Sequence, residues 1–290
     1  MIDLIINPIA GGERGAKSIR TVTALKEFLS ERGIKHALHY SSGRGNATAI
    51  ARELSNGEPT TIVVVGGDGT LHEVINGIEN FENVTVGLIP CGTGNDFATT
   101  CGLPFDPIKA MELILNNPAK PTDFMQMPTV RGINVIGMGL DVQVLKRYSQ
   151  LKKKTKTSYT SCLIKTLINF DYSDFNATLN GKTTHLRSFI AAVANGSCFG
   201  GGLSICPDAT PFDGKLDFVA VKEMFKLKII HAFIKLKAGK VLSLKETVHE
   251  QTEHIKVESE TPFTVNVDGE LYENIPFEVW VVSNKLMFHR

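Results

Sequence analysis

The chain has 290 residues, enough for two domains of ordinary size, and its 42% hydrophobic and 21% charged content excludes a disordered polymer. A formal net charge of +1 excludes a general attraction to nucleic acid. Five cysteines without a C-x-x-C pair disfavour a disulfide framework or a zinc site and fit a reducing cytoplasm.

Met1–Pro8 carries no basic segment, and its apolar run stops at Pro8, so no leader is expected. No apolar stretch reaches the roughly 18 residues that span a bilayer. Ile2–Ile6 reads as a strand, and Lys17–Arg32 as a helix with Ile19, Val22, Leu25, Phe28 and Leu29 on one face. Lys35–Tyr40 and Ala47–Leu54 predict a second strand and helix. The uninterrupted run Thr60–Val65 is a buried strand, Leu71–Ile78 a helix, Val84–Ile89 a strand and Ile108–Leu115 a helix closed by Asn116-Asn117-Pro118. Such alternation argues for a parallel sheet covered by helices.

Composition changes near Pro121–Asp123. Strand patterns then dominate, at Thr129–Ile136, Phe175–Leu179, Phe189–Ala194, Leu216–Val221, His254–Val257, Phe263–Val267 and Phe277–Val282. Asn180-Gly181, Asp213-Gly214 and Asp268-Gly269 separate some of them as turns. Helices are expected at Lys156–Asn169 and Phe225–Leu236. Residues 1–122 thus read as an α/β domain and 123–290 as a β-sandwich whose last residues return to the first domain.

Three glycine-bearing loops follow strands of the first half: Asn7-Pro8-Ile9-Ala10-Gly11-Gly12, Gly66-Gly67-Asp68-Gly69-Thr70 and Gly92-Thr93-Gly94-Asn95-Asp96. Glycine lets backbone approach an anion, and the first amides of a helix point at it. One such loop is an ordinary turn; three on one sheet edge predict a nucleoside triphosphate cleft at the carboxyl ends of the strands.

These loops, read with Leu71-His72-Glu73 and Phe97-Ala98, resemble the diacylglycerol kinase catalytic family, whose relatives include bacterial lipid kinases and sphingosine kinases. The resemblance covers essentially the whole chain. It implies a three-layer α/β nucleotide domain, like that of NAD kinase, joined to a β-sandwich with the active site between them. It further implies transfer of the γ-phosphate of ATP to a lipid hydroxyl with Mg2+. The nucleotide would meet Asn7, Pro8, Ile9, Ala10, Gly11, Ser41, Gly66, Gly67, Asp68, Gly69, Thr70, Leu71, His72, Thr93 and Asn95. Ser41 stands where relatives often carry threonine. Arg14 and Lys17 are within reach of phosphates or simply begin a solvated helix. Asp68 either holds magnesium or caps a turn, because a bare carboxylate repels phosphate.

Val267-Asp268-Gly269-Glu270 matches the family's Asp-Gly-Glu, in which the glutamate is the base; composition alone would make it a routine hairpin. The same resemblance implies a structural magnesium held by the Asp213 carboxylate with backbone oxygens of Thr210 and Lys215. Lys152, Lys153, Lys154 and Lys156, and the basic, apolar segment Phe225–Leu236, are either solvated faces or places where an anionic bilayer docks. Cys91 reads as a small filler, and the histidines show no metal-ligand spacing.

The expected function is therefore lipid phosphorylation, diacylglycerol to phosphatidic acid. Sphingoid base, ceramide or phosphatidylglycerol acceptors, NAD kinase and a non-catalytic nucleotide-binding module stand as alternatives. The expected partners are a lipid substrate, a membrane met peripherally and, as an open option, a second copy of the chain; nucleic acid is not expected. The expected location is the cytoplasm, including the inner face of its membrane.

Overall fold

β1 (Ile2–Ile6) is buried along its whole length and apolar except for Asp3, because both its faces are covered. The elements after it are α1 (Ala16–Glu31), β2 (His36–Tyr40), α2 (Asn46–Ser55), β3 (Thr60–Gly66), α3 (Asp68–Gly77), β4 (Val84–Pro90), α4 (Asp96–Thr100) and α5 (Pro107–Asn116). There follow β5 (Lys120–Gln126), β6 (Arg131–Gly132), β7 (Val135–Gly139), α6 (Leu140–Ser149), α7 (Lys156–Ile168), β8 (Ser173–Leu179), β9 (Lys182–Ala194) and β10 (Leu216–Lys222). The chain ends with α8 (Lys226–Lys237), β11 (Thr247–Thr252), β12 (His254–Glu258), β13 (Thr264–Val267), β14 (Glu270–Glu273) and β15 (Phe277–Phe288). This computed structural model describes residues 1–11, 16–151, 156–168, 170–260, 262 and 264–290. Gly12, Arg14, Lys152, Lys153, Lys154, the end of the helix expected to reach Asn169, and Phe263 lie outside the described residues.

The chain divides into two units. The first comprises Met1–Phe124, Thr210–Asp213 and Val282–Arg290; the second comprises Met125–Ala209 and Gly214–Val281.

In the first unit the strands lie in the order β2-β1-β3-β4, all parallel, and Phe288 of β15 pairs with Val86 of β4. One face of the sheet (Leu4, Ile6, Val63, Val65, Ile89) packs on Val22, Leu25 and Leu29 of α1 and on Ala110, Met111 and Ile114 of α5. α2 and α3 pack together on β1 and β3. They meet closely at Gly77, where any side chain would strike the Thr48 carbonyl. The terminus is pinned: His289 donates its amide to Val86 O at 2.8 Å, and Phe288 meets Phe97 edge to face with centroids 5.4 Å apart.

In the second unit β9 is the organising strand. Its first half pairs with β8 and its second half with both β7 and β10. The alternation of side chains then decides two cores. Ala191 and Val193 join Phe175, Leu186, Phe218, Ile255, Val257 and Val279 inside the sandwich. Ile190, Ala192 and Ala194 face Leu140, Val144, Leu163, Ile229, Ala232 and Leu236 of α6, α7 and α8.

Two expectations change. The strand expected at Thr129–Ile136 is broken between β6 and β7, because the amides of Ile133, Asn134 and Val135 all turn to the carboxylate of Asp268. The helix expected from Leu71 begins at Asp68, because Gly67 O accepts from both Thr70 and Leu71 amides, at 3.0 and 3.1 Å. No described helix is long and apolar enough to cross a membrane.

Candidate active site

The strand order of the first unit sets a switch point between β1 and β3. The chain leaves β1 for α1 on one face and β3 for α3 on the other, the kind of place where open parallel sheets bind their ligands. Asn7 ties the two exits together. Its amide nitrogen donates to Thr70 Oγ1 at 3.1 Å, its Oδ1 accepts from the Ile9 amide at 3.1 Å, and its carbonyl accepts from Ser18 Oγ at 2.8 Å. Pro8 is half-buried, Ile9 is 73% exposed, and Ala10 is buried. Ser41 joins the same edge through its amide, which donates to Ile6 O at 2.8 Å.

The glycines have a steric reason. Gly67 and Gly92 lie back to back: a Cβ on Gly67 would sit 2.8 Å from the Cα of Gly92, and a Cβ on Gly92 would collide with the Cα of Gly67. Gly11, at φ +83°, lies against the Cys91 carbonyl, 2.6 Å from where its Cβ would be. The loop after β1 thus meets the loop after β4 at Gly11 and the Cys91 carbonyl, and the loops after β3 and β4 meet backbone to backbone at Gly67 and Gly92. Gly69 faces open space in the first turn of α3, where helix amides lack partners within the helix.

Several expected ligand residues build this surface instead of facing outward. Asn95 is buried at φ 57°, and its side-chain amide closes the loop on Gly92, accepting from its N–H at 2.9 Å and donating to its carbonyl at 3.0 Å. Leu71 and His72 are buried in α3. Thr70 is buried under Asn7, whereas Thr93 is exposed. Cys91 is fully buried, and burial pushes its thiol up to about 11 against the pull of Lys17, which suits a filler and not a nucleophile.

Asp68 opens α3 and reaches across to α4. Its Oδ1 accepts from the Phe97 amide at 3.1 Å, so the carboxylate caps that helix. Burial raises its pKa, the Asp96 carboxylate adds to this, and amides of Phe97, Asp96 and Asn95 oppose both. Asp96 is a residue that the sequence reading quoted without giving it a role. The signal was there: an acid directly after a glycine loop and at a helix start. A half-buried and a buried carboxylate close enough to repel each other are an all-oxygen donor set suited to a hard divalent cation, which would relieve that repulsion.

In the second unit, Glu270 begins β14, half-buried, opposite Val267. Asp268 (φ 51°) and Gly269 (φ 98°) form the two-residue turn before it. The Asp268 carboxylate is an anchor: Oδ2 accepts from the Ile133 amide at 2.8 Å, and Oδ1 from the amides of Asn134 and Val135 at 2.9 and 3.1 Å. Asn266 adds a second tie, accepting from the Gly269 amide at 2.8 Å and donating to Asp141 Oδ2 at 3.0 Å. Asp141 was missed by the sequence reading. It is buried beside Gly137, its Oδ1 has no hydrogen-bond partner among the described residues, and burial raises it to about 6 despite the Asn266 bond and the amides of Val142 and Asp141.

Thr210 and Asp213 fall in the first unit and Lys215 in the second, within an irregular segment where Gly214 has φ +72°. Asp213 and Lys215 are exposed.

Residues 2–127 match the diacylglycerol kinase catalytic domain, and residues 134–289 match the YegS C-terminal NAD kinase beta sandwich-like domain. The chain is 28% identical over 282 residues to the diacylglycerol kinase of Bacillus subtilis, covering 95% of this chain and 91% of that one. It is 30% identical over 274 residues to a "Probable lipid kinase YegS-like" of Xanthomonas oryzae pv. oryzae, covering 90% and 88%. A crystal structure of a diacylglycerol kinase from Bacillus anthracis shares the fold at TM-score 0.74 and 22% identity over 99% of this chain and 96% of that one. An ATP-bound NAD kinase from Archaeoglobus fulgidus shares it more distantly, at TM-score 0.52 and 14% identity over 100% and 94%. Glycine loops pressed together on a parallel sheet, a sandwich carrying an anchored Asp-Gly-Glu hairpin, and matches along nearly the whole length therefore converge: the chain belongs to the diacylglycerol kinase catalytic-domain family and is a kinase.

Proposed function

We propose that this kinase transfers the γ-phosphate of ATP to the hydroxyl of a lipid, with diacylglycerol as acceptor and phosphatidic acid as product. The observation that carries the nucleotide half is the close backbone approach of the loops at Gly11, Gly67 and Gly92, with Gly69 open in the first turn of α3. Backbone amides there hold phosphate oxygens, exposed Thr93 adds a hydroxyl, and exposed Ile9 gives the nucleotide an apolar contact. Asp68 and Asp96 fit magnesium, which when bound supplies charge neutralisation to the phosphates. Glu270 takes the proton of the attacking hydroxyl late in transfer. The lipid acceptor is supported by the names of the relatives and by the family match. The Asp213 carboxylate, with backbone oxygens of Thr210 and Lys215, is proposed to hold a structural magnesium.

The outward face of α8 supports docking on a membrane. Ile229, Ala232 and Leu236 turn inward, while Phe225, Ile230 and Ile234 are 72%, 60% and 59% exposed. Lys228 is drawn to Glu246 at 3.2 Å, so the apolar side chains carry this contact more than that charge does. The test of function is transfer of label from radiolabelled ATP to a panel of lipid alcohols and NAD. Label in diacylglycerol, lost in Glu270→Gln, supports the proposal. Label in another lipid alone moves the acceptor, label in NAD alone replaces the function, and label in none leaves a nucleotide-binding module.

A further inference from the structure

The second unit brings together three side chains that the kinase chemistry does not use. Cys206 lies in the irregular segment after β9, Asp217 near the start of β10, and His249 on β11. Cys206 and His249 are 43 residues apart and His249 and Asp217 are 32 apart, so no motif joins them. The pairing of β10 with β11 does so. His249 lies opposite Val219, which places it diagonally from Asp217 on the same face of the two strands. Cys206 closes over that face: its Sγ is 3.7 Å from His249 Nε2, and His249 Nε2 is 2.6 Å from Asp217 Oδ1. One ligand atom from each residue lies within 4.8 Å of the other two.

We propose that Cys206, Asp217 and His249 form a zinc site that clamps the segment around Cys206 to β10 and β11. The donor set is thiolate, imidazole and carboxylate, the ligands zinc takes, whereas calcium and magnesium take oxygen alone. Tetrahedral bonds of zinc to sulfur and nitrogen set those atoms about 3.6 Å apart, and the observed separation is 3.7 Å. The contact of His249 with Asp217 is a hydrogen bond and is too short for two zinc ligands. The carboxylate therefore swings outward by a little under about 1 Å when the metal enters.

The charges balance. Zinc displaces the thiol proton to solvent, and the imidazole gives up its proton on Nε2, which bonds Asp217 in the metal-free protein, and carries one on Nδ1 instead. A dipositive ion with one thiolate and one carboxylate leaves the site neutral, which suits two ligands as buried as Cys206 (0% exposed) and Asp217 (3%). The His249 side chain is 34% exposed, which gives the ion a path in and leaves the fourth position to water.

The test uses the full chain, stripped with a chelator, held in saturating magnesium to fill oxygen sites, and titrated with Co2+ and then Zn2+. The expected result is one Co2+ per chain with a near-ultraviolet thiolate-to-cobalt band that Zn2+ abolishes, and a melting temperature that Zn2+ raises. Cys206→Ser loses the band, and His249→Gln, at a half-exposed position with the native circular dichroism spectrum, loses on the order of 100-fold in affinity. Absence of the band in the folded wild type, or its survival in Cys206→Ser, overturns the site. Retention of wild-type affinity in His249→Gln does the same. None of these readings depends on kinase activity, so failure here leaves the kinase proposal standing.

Discussion

The Asp268 anchor offers the sharpest test of how the candidate base is held. One carboxylate serves three amides in consecutive residues, those of Ile133, Asn134 and Val135. Asp268→Gly keeps the left-handed backbone that the turn requires and removes all three bonds. At about 1.5 kcal/mol for each bond, the low end for a charged acceptor, the loss is about 4.5 kcal/mol. Asp268→Asn is the finer probe. It tolerates the same φ and keeps one neutral acceptor for Asn134 and Val135, but turns an NH2 group toward the Ile133 amide, so about 2 kcal/mol is lost. Hydrogen exchange on a peptide spanning residues 131–139 reads this locally, and thermal unfolding reads it globally. Both variants are expected to expose the three amides and to lower kcat more than the KM for ATP, because the nucleotide loops belong to the other unit. Unchanged protection of these amides in Asp268→Gly, with stability within about 0.5 kcal/mol of wild type, would refute the anchor.

Glu270→Gln is expected to abolish lipid phosphorylation with an unchanged circular dichroism spectrum; wild-type turnover removes Glu270 from the chemistry. Asp68→Ala should also abolish turnover and cost about 1 kcal/mol through the lost cap on α4, read in kinase assays and urea unfolding. Gly92→Ala should separate the loops after β3 and β4 and lower ATP affinity at least about tenfold by calorimetry, since the new Cβ meets the Gly67 backbone. Asp141 gives a pH signature. Its folded pKa, raised to about 6 from 3.8, lies above its unfolded value, so the buried charge costs stability at pH 7. That cost, up to about 3 kcal/mol, is relieved as pH falls through 6 toward 4. Asp141→Asn keeps an acceptor for Asn266, and denaturation curves across that range should lose this component; an unaltered slope counts against the assignment.

Much of this protein was legible because its signals are local. The Thr60–Val65 run and the glycines after it state a buried strand and a backbone-lined turn within ten consecutive positions. Glycine at residues 67 and 92 follows from close approach, and that requirement shows directly as residue type. The Asp268-Gly269 turn was equally readable, since two consecutive left-handed residues admit few alternatives. The anchoring carboxylate was not, because its three partners are more than 130 residues away and backbone amides leave no mark in a sequence.

The sequence by itself determined the alternation of strands and helices, the loops that must be glycine and the acids offered for chemistry, because periodicity and backbone conformation act over a few residues. Tertiary structure alone decided which polar groups are used up inside. It set Asn95 to closing its own loop, Asp68 to capping α4 and Asp141 to a buried place beside Asn266. It also gathered Cys206, Asp217 and His249, which the histidine spacing had argued against. Desolvation and convergence depend on what the chain folds against, and strand pairing carries residues far apart in sequence to neighbouring places on one face.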